Sequence, residues 1–114
     1  MDLKPGPALE EDTRAVCRMS RFPNLYAKVD FIGTGTRQSY PCEDLHHAAM
    51  EVIGAFGAER CVWASCYPNG LWTPRITYGE HLRIFSEALP LTSKQRASIL
   101  GETARRIWFP KLAV

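Results

Sequence analysis

Residues 43–65, EDLHHAAMEVIGAFGAERCVWAS, decide the fold because a helical pattern in them passes directly into a strand pattern. The apolar residues of the first part recur at helical spacing on one face: Leu45, Ala49, Val52, Ile53 and Phe56. Gly57 is well placed to end this helix, which is expected over Glu43 to Phe56. The stretch from Arg60 to Ser65 is almost uniformly apolar in its middle and predicts a short strand.

A second strand pattern lies upstream, from Leu25 to Ile32. Its alternate residues are bulky or apolar on both sides, as in parallel strands that are covered on both faces. A helix is expected before it, from Leu9 to Arg21, since three acidic residues stand in its first turn. Pro23 ends that helix. A flexible loop is expected from Gly33 to Pro41.

Two helix starts are visible after the strand at residues 60–65. Residues 66–76 predict a loop, and Thr77 with Glu80 forms a capping box that begins a helix running to about Leu89. Thr92 and Gln95 form a second capping box. The last helix should end before Pro110 and turn these residues inward: Ile99, Leu100, Ala104, Ile107 and Trp108.

The order helix, strand, helix, strand, helix, helix predicts an α/β fold with two parallel strands. Two parallel strands alone leave unpaired backbone groups at both outer edges. The pattern therefore indicates a piece of a larger sheet, whose remaining strands this sequence does not contain.

Composition excludes several classes of function. A formal net charge of +2 without a basic run argues against nucleic-acid binding. No apolar stretch approaches the roughly 20 residues that a membrane span needs, and residues 1–7 lack the apolar centre of a signal peptide. A cytoplasmic protein is expected, with its four cysteines as free thiols.

Three motifs in register resemble the amidohydrolase-related family. Residues 22–29, FPNLYAKV, resemble its Pro-Asn-Val-x-x-Lys strand entry, and residues 56–68, FGAERCVWASCYP, resemble its Phe-Gly-x-x-Arg signature ending in Gly-Ser-Asp-x-Pro. Residues 99–108, ILGETARRIW, are similar to its Ile-Leu-x-x-Asn-Ala-x-Arg-Leu-Tyr ending. The likeness extends from about Leu9 to Phe109.

This resemblance implies a partial (β/α)8 TIM-like barrel. Residues 25–32 and 60–65 would be its seventh and eighth strands, with flanking and C-terminal helices, and residues 1–114 would form the C-terminal part of the domain. Such barrels need about 250 residues. The family's His-x-His metal pair does not occur in this chain. The resemblance implies that a divalent metal such as zinc is a possible cofactor of the parent family, but no residues of this chain support one.

The resemblance also places the candidate site. Cys66 stands where the family has an aspartate that binds a metal or activates water, so it could act as a zinc thiolate, a nucleophile or a weak base. The alternative is a small filler in a lapsed site. Thr103 replaces the family's asparagine and Ala64 its glycine, both expected to concern packing. The loop after the strand is expected to bind a small-molecule substrate through Tyr67, Asn69, Trp72 and Arg75.

The sequence leaves open the roles of the three histidines, Lys28 and Asp30. His81 could orient Cys66, although a lone helical histidine is more often a surface or packing residue, and the same holds for His46 and His47. Lys28 and Asp30 could face the interior of a barrel or pair with their neighbours.

Three functions remain as hypotheses. The first is a hydrolase that cleaves a lactone or another small carboxylic acid derivative by water attack, with metal assistance or without it, as in the pyrone-dicarboxylate lactonases of the family. The second is a non-catalytic remnant that self-associates through its strand edges. The third is a small metal-binding module built from Cys42, His46, Cys61 and Cys66.

Overall fold

Two short parallel strands lie side by side at the centre of the molecule. The computed structural model describes residues 1–68 and 70–112. Strand β1 covers Ala27–Val29 and strand β2 covers Cys61–Trp63, with Ala27 opposite Cys61 and Val29 opposite Trp63. The predicted parallel pairing is confirmed, although both strands are shorter than the sequence pattern indicated.

The helices before β2 follow the apolar and capping patterns. Helix α1 spans Leu9–Arg18 and continues as a 3-10 turn over Met19–Arg21. Helix α3 spans His46–Phe56 after a 3-10 turn at Glu43–Leu45, and another 3-10 turn, Ala58–Arg60, leads into β2. Gly57 ends α3 as predicted, because its φ of 81° turns the chain while its N–H bonds the Ile53 carbonyl.

Both predicted capping boxes are present after β2. Helix α4 spans Tyr78–Arg83 and continues as a π-helix over Ile84–Ala88. Helix α5 spans Ser93–Ala97 and passes through a π-helical stretch, Ser98–Glu102, into helix α6 at Thr103–Trp108. Thr103 has the expected packing role, since it is buried and donates a hydrogen bond to the Ala58 carbonyl at 3.0 Å.

The prediction for residues 30–36 is wrong. The strand ends at Val29, and Phe31–Gly35 form a helix, α2, where a strand end and a flexible loop were expected. Phe31 and Ile32 are both fully buried. Adjacent residues of a strand point to opposite faces, whereas a helical turn can direct both toward one core, and this explains the difference.

The last helix also departs from its prediction. Ile99 is buried as expected, and Leu100, Ala104 and Ile107 are partly buried. Trp108 was expected to point inward, but 61% of its surface is exposed. Its ring lines a cleft on the open side of the sheet together with Tyr26, Lys28 and Val62.

The core lies between one face of the sheet and the helices. Ala27 and Val29 point into it, where Val52, Ile53 and Phe85 are also buried. Lys28 lies between them on the strand and points the other way, so the second face of β1 is open. Val62, which lies opposite Lys28 in β2, is buried, so this face is open only at β1. The two-stranded sheet has two free edges in the described part of the chain.

Exchange of glycine at two positions should test the packing of α2. A Cβ on Gly35 would clash with the carbonyl oxygen of Leu3, whereas a Cβ on Gly54, in α3, would meet open space. We expect Gly35→Ala to lower the free energy of unfolding by about 2 kcal/mol because backbone must shift. Gly54→Ala, the matched control, should raise it by about 0.5 kcal/mol. Urea unfolding measures both, and equal effects would contradict this packing.

Candidate active site

The polar residues that follow the two strands meet at the carboxyl edge of the sheet. Asp30 comes directly after β1, and Cys66 lies three residues beyond the end of β2. The Cys66 thiol donates a hydrogen bond to Asp30 Oδ2 at 3.5 Å. Lys28 Nζ lies 3.2 Å from the same oxygen. Because active sites of parallel α/β folds lie at this edge, the pair is a candidate site.

Asp30 is the most unusual group of this site. Only 7% of its surface is exposed, and its second oxygen, Oδ1, is buried without a hydrogen-bond partner among the described residues. It occupies the N-cap position of α2 but forms no capping hydrogen bond there. A buried carboxylate oxygen without a partner is rare in native proteins and calls for an explanation.

Cys66 adopts a conformation that is uncommon for its residue type. Its φ of 56° is left-handed, and its side chain is half-buried. Burial raises the pKa of the Cys66 thiol, and the charge of Asp30 and its hydrogen bond raise it further, while Lys28 lowers it. The thiol therefore stays protonated at neutral pH, which disfavours a role as a free thiolate nucleophile.

His81 lies behind this edge, in the aromatic packing of α4 against β2. Only 2% of its surface is exposed, and its ring lies 5.5 Å from the Trp63 ring and 5.8 Å from the Phe85 ring. Neither ring nitrogen has a hydrogen-bond partner in the described part of the chain, Cys66 included. Burial lowers the pKa of His81 to about 4, although Asp30 opposes this shift. The expected packing role is confirmed, and the orienting role is not.

Gly33 explains how His81 fits behind the edge. A Cβ on Gly33 would lie only 3.1 Å from His81 Nδ1. Absence of a side chain at this position of α2 therefore lets the imidazole pack directly against the backbone that carries Asp30.

The candidate substrate residues lie in the loop after β2. Tyr67, Trp72 and Arg75 are exposed, and the Tyr67 ring meets the Tyr78 ring edge to face at 5.5 Å. Asn69 lies outside the described residues. The roles of these four residues stay predictions.

The proposed metal-binding residues are not brought together. Cys42 Sγ lies 3.6 Å from the Gln38 carbonyl, His46 Nε2 lies 2.6 Å from the Pro41 carbonyl, and Cys61 is buried with its pKa raised by burial to about 12. Residues 1–68 and 70–112 contain no group of three or more His, Cys, Asp or Glu side chains placed to hold a metal ion. The described residues thus fit neither the small metal module nor a zinc site of their own.

The other side chains considered in the sequence have ordinary partners. His47 Nε2 pairs with Glu51 at 2.7 Å along α3. All four cysteines are free thiols. Among the described residues, no helix has the length and apolar character to cross a bilayer.

Asp30 is the site residue to which the sequence assigned no role. Its signal was available, since an aspartate that directly follows an apolar strand of a parallel sheet stands at the reactive edge. That signal was hidden because the strand was predicted to continue through Ile32, which placed Asp30 inside the strand.

Comparison with known proteins identifies the family to which this site belongs. The family model described as amidohydrolase matches residues 4–109. No curated protein matches the chain.

Solved structures share the fold. A protein from Pseudomonas putida assigned as a 2-pyrone-4,6-dicarboxylic acid hydrolase has 25% identity and a TM-score of 0.71, over 98% of this chain and 41% of that chain. An amidohydrolase from Burkholderia multivorans, solved with HEPES, has 23% identity and a TM-score of 0.71, over 87% of this chain and 36% of its own. The same protein was also solved with zinc bound. The chain thus spans about two fifths of the length of these proteins.

Proposed function

This chain belongs to the amidohydrolase family, and on that premise we propose that it forms the C-terminal part of a hydrolase barrel. The reaction is cleavage of a lactone or another small carboxylic acid derivative by attack of water on the carbonyl carbon. The substrate class follows from the likeness to the protein assigned as a 2-pyrone-4,6-dicarboxylic acid hydrolase.

The meeting of Asp30 and Cys66 at the carboxyl edge of the parallel strands carries the proposal. Active sites of (β/α)8 barrels are built at this edge, from residues that follow several strands. The free edges of the sheet support the barrel, because further parallel strands would pair with them. Cys66 would then hold the attacking water at the position where the family has an aspartate.

The loop after β2 would bind the substrate. Exposed Arg75 offers a guanidinium that can bind a substrate carboxylate in a bidentate manner, and Trp72 offers a ring face for a planar pyrone. Tyr67 completes this proposed surface. A substrate-binding role of Asn69, which lies outside the described residues, stays a prediction from the sequence. The described residues do not form a metal site of their own.

The test restores the strands that the chain lacks. A fusion in which this chain replaces the matching segment of the Pseudomonas putida protein should fold cooperatively and hydrolyse at least one member of a panel of lactones and amides. The panel begins with 2-pyrone-4,6-dicarboxylate, whose loss is followed by absorbance. Cys66→Ala should lower kcat/KM about tenfold, since one hydrogen bond near the water is lost.

A folded fusion without activity on the whole panel would contradict this function, provided that Cys66→Asp also remained inactive. The second candidate would then stand: a non-catalytic remnant that associates through its strand edges. The free edges of the sheet favour that candidate, and sedimentation of the chain alone would show concentration-dependent association.

A further inference from the structure

We propose that the cleft between Tyr67 and Tyr78 is the subsite that holds the flat ring of the substrate, which makes the substrate a planar, single-ring carboxylate. The inference rests on the proposed function and deepens it. It separates a flat, pyrone-like substrate from open-chain esters and puckered lactones that the same reaction could cleave. The sequence assigned no role to Tyr78.

Two exposed aromatic rings form the walls of the cleft. The centroids of the Tyr67 and Tyr78 rings lie 5.5 Å apart, and their planes make an angle of 77°. Of these two residues 69% and 49% of the surface is exposed, so both rings can still receive a third group. Aromatic rings prefer offset-stacked and edge-to-face arrangements, and a flat ring placed against this pair could make both.

The floor and the size of the cleft suit one ring. Ile76, which is only 7% exposed, provides an apolar floor, and Gly70, Thr73 and Thr77 complete the lining. The volume is about 270 Å³. A cavity of about 150 Å³ accepts benzene, whereas pockets for drug-sized ligands begin at about 300 Å³. The cleft therefore matches one six-membered ring with its substituents.

Tyr78 is held in place before a ligand binds. It is the first residue of α4, and the capping box fixes the backbone there: Thr77 N–H donates to Glu80 Oε1 at 2.9 Å, and Glu80 N–H donates to Thr77 Oγ1 at 3.1 Å. The Tyr78 ring also meets the Trp63 ring of β2 edge to face at 5.7 Å. Because this wall is already ordered, binding does not have to order it, which favours a rigid, flat ligand.

Packing of the fold does not account for the exposed aromatic side chains of this loop. A tyrosine that served only the core would bury its ring, yet most of Tyr67 is exposed. Leu71 and Trp72 of the same loop are 93% and 70% exposed. Single exposed apolar residues are ordinary, whereas several that cluster indicate a binding surface.

The position and the charge of the cleft favour a ring that carries a carboxylate. Tyr67 directly follows Cys66, at a Cα separation of about 3.8 Å, so a ring in the cleft would lie beside the candidate active site. None of the described residues that line the cleft is charged, so an anion meets no repulsion from them. Arg75 directly precedes Ile76 and is exposed, and its guanidinium can bind a carboxylate substituent.

The first arm of the test uses the full chain alone. The probe is benzene-1,3-dicarboxylate, a flat ring that carries its carboxylates in the relative positions of 2-pyrone-4,6-dicarboxylate and cannot be hydrolysed. The comparison ligand is cis-cyclohexane-1,3-dicarboxylate, which places the same charges on a puckered ring. Titration followed by NMR should give a Kd of about 2 mM for the flat probe, with its ring protons shifted upfield by the tyrosine rings, and binding of the puckered ligand about fivefold weaker.

Leucine variants identify the walls. Tyr67→Leu and Tyr78→Leu should each raise the Kd of the flat probe about fivefold, because each removes one ring, and Tyr78→Phe should bind as the native chain does. Tyr26→Leu removes another exposed tyrosine, ahead of β1, and as the matched control should leave the Kd unchanged. Thermal unfolding checks that each variant is folded. If loss of the contact with Trp63 unfolds Tyr78→Leu, Tyr67→Leu decides the case.

The second arm uses the fusion that completes the barrel. Tyr67→Leu and Tyr78→Leu should raise KM for 2-pyrone-4,6-dicarboxylate about fivefold and leave kcat within about twofold, as expected when an interaction is equal in the ground state and the transition state. For any puckered lactone that the fusion cleaves, KM should stay the same in both variants.

The outcomes separate the two proposals. Equal binding of the flat and puckered ligands, no binding of either, or an unchanged Kd in folded Tyr67→Leu would overturn this inference and leave the hydrolase function standing. An unchanged KM in both variants of an active fusion would do the same. A folded fusion with no activity on the panel would overturn the hydrolase function, and with it the substrate role of the cleft, even if the chain alone bound the flat probe.

Discussion

Replacement of Arg60 by alanine should lower the free energy of unfolding by about 3 kcal/mol, among the largest effects expected in this chain. The guanidinium donates to the carbonyl of Phe56 at 3.0 Å through Nε, to those of Phe22 and Leu25 at 2.9 and 3.3 Å through one terminal nitrogen, and to that of Ser20 at 3.0 Å through the other. Loss of the side chain would remove the hydrogen bonds that hold the segment between α1 and β1 against the residue that precedes β2.

Two control variants sharpen this prediction. Arg60→Lys keeps the charge but presents a single ammonium, which cannot reach four carbonyls spread over a planar fork, so it should recover only a minor part of the loss. Arg14→Ala removes an arginine whose ion pair with Glu10 is exposed and should cost about 0.5 kcal/mol. Urea unfolding compares all three, and an Arg60→Ala form as stable as Arg14→Ala would show that the contacts are not formed.

The stability of the chain should fall by about 3 kcal/mol between pH 7 and pH 4 because of His81 alone. The pKa of its imidazole is about 4 in the folded chain, against an ordinary value of 6.5. The unfolded state therefore binds the proton more readily in this interval. The contribution of the neutral His81 ring to the free energy of unfolding is fully present above pH 6.5, and it is lost as the pH falls toward 4.

His81→Phe isolates this effect from the carboxylates that titrate in the same range. The variant keeps an aromatic ring between Trp63 and Phe85 but cannot take up a proton, so its stability should depend less on pH by the stated amount. At pH 7 it should be at least as stable as the native chain, because two buried nitrogens without partners are removed. Urea unfolding from pH 4 to 8 measures the free energy of unfolding of both proteins. If it changed with pH by the same amount in both, the low pKa of His81 would be contradicted.

Local signals in the sequence were sufficient for most of the fold. The capping boxes at Thr77 and Thr92 name the residues that start α4 and α5, since each box depends on side chains only three positions apart. Gly57 likewise marks the end of α3. The parallel pairing followed from the helix between two apolar strands.

The departures arise where distant contacts override local pattern. Phe31 and Ile32 continue the strand-like pattern that begins at Leu25, and only the core that receives both side chains shows that they belong to a helix. Trp108 shares the spacing of inward residues, but it lies on the open side of the sheet. The contact of Asp30 with Cys66 spans 36 positions of sequence, and no local pattern could reveal it.

The left-handed turn at Cys66 has a consequence for how this site could change over evolutionary time. Aspartate and asparagine adopt positive φ more readily than most residues, so the backbone at this position already suits a carboxylate or an amide. The side chain is only half-buried, and an exchange would create no large void in the interior. Mutational drift could therefore alter the chemistry at this corner while the scaffold stays intact, which makes position 66 a natural starting point for directed evolution of new hydrolytic specificities.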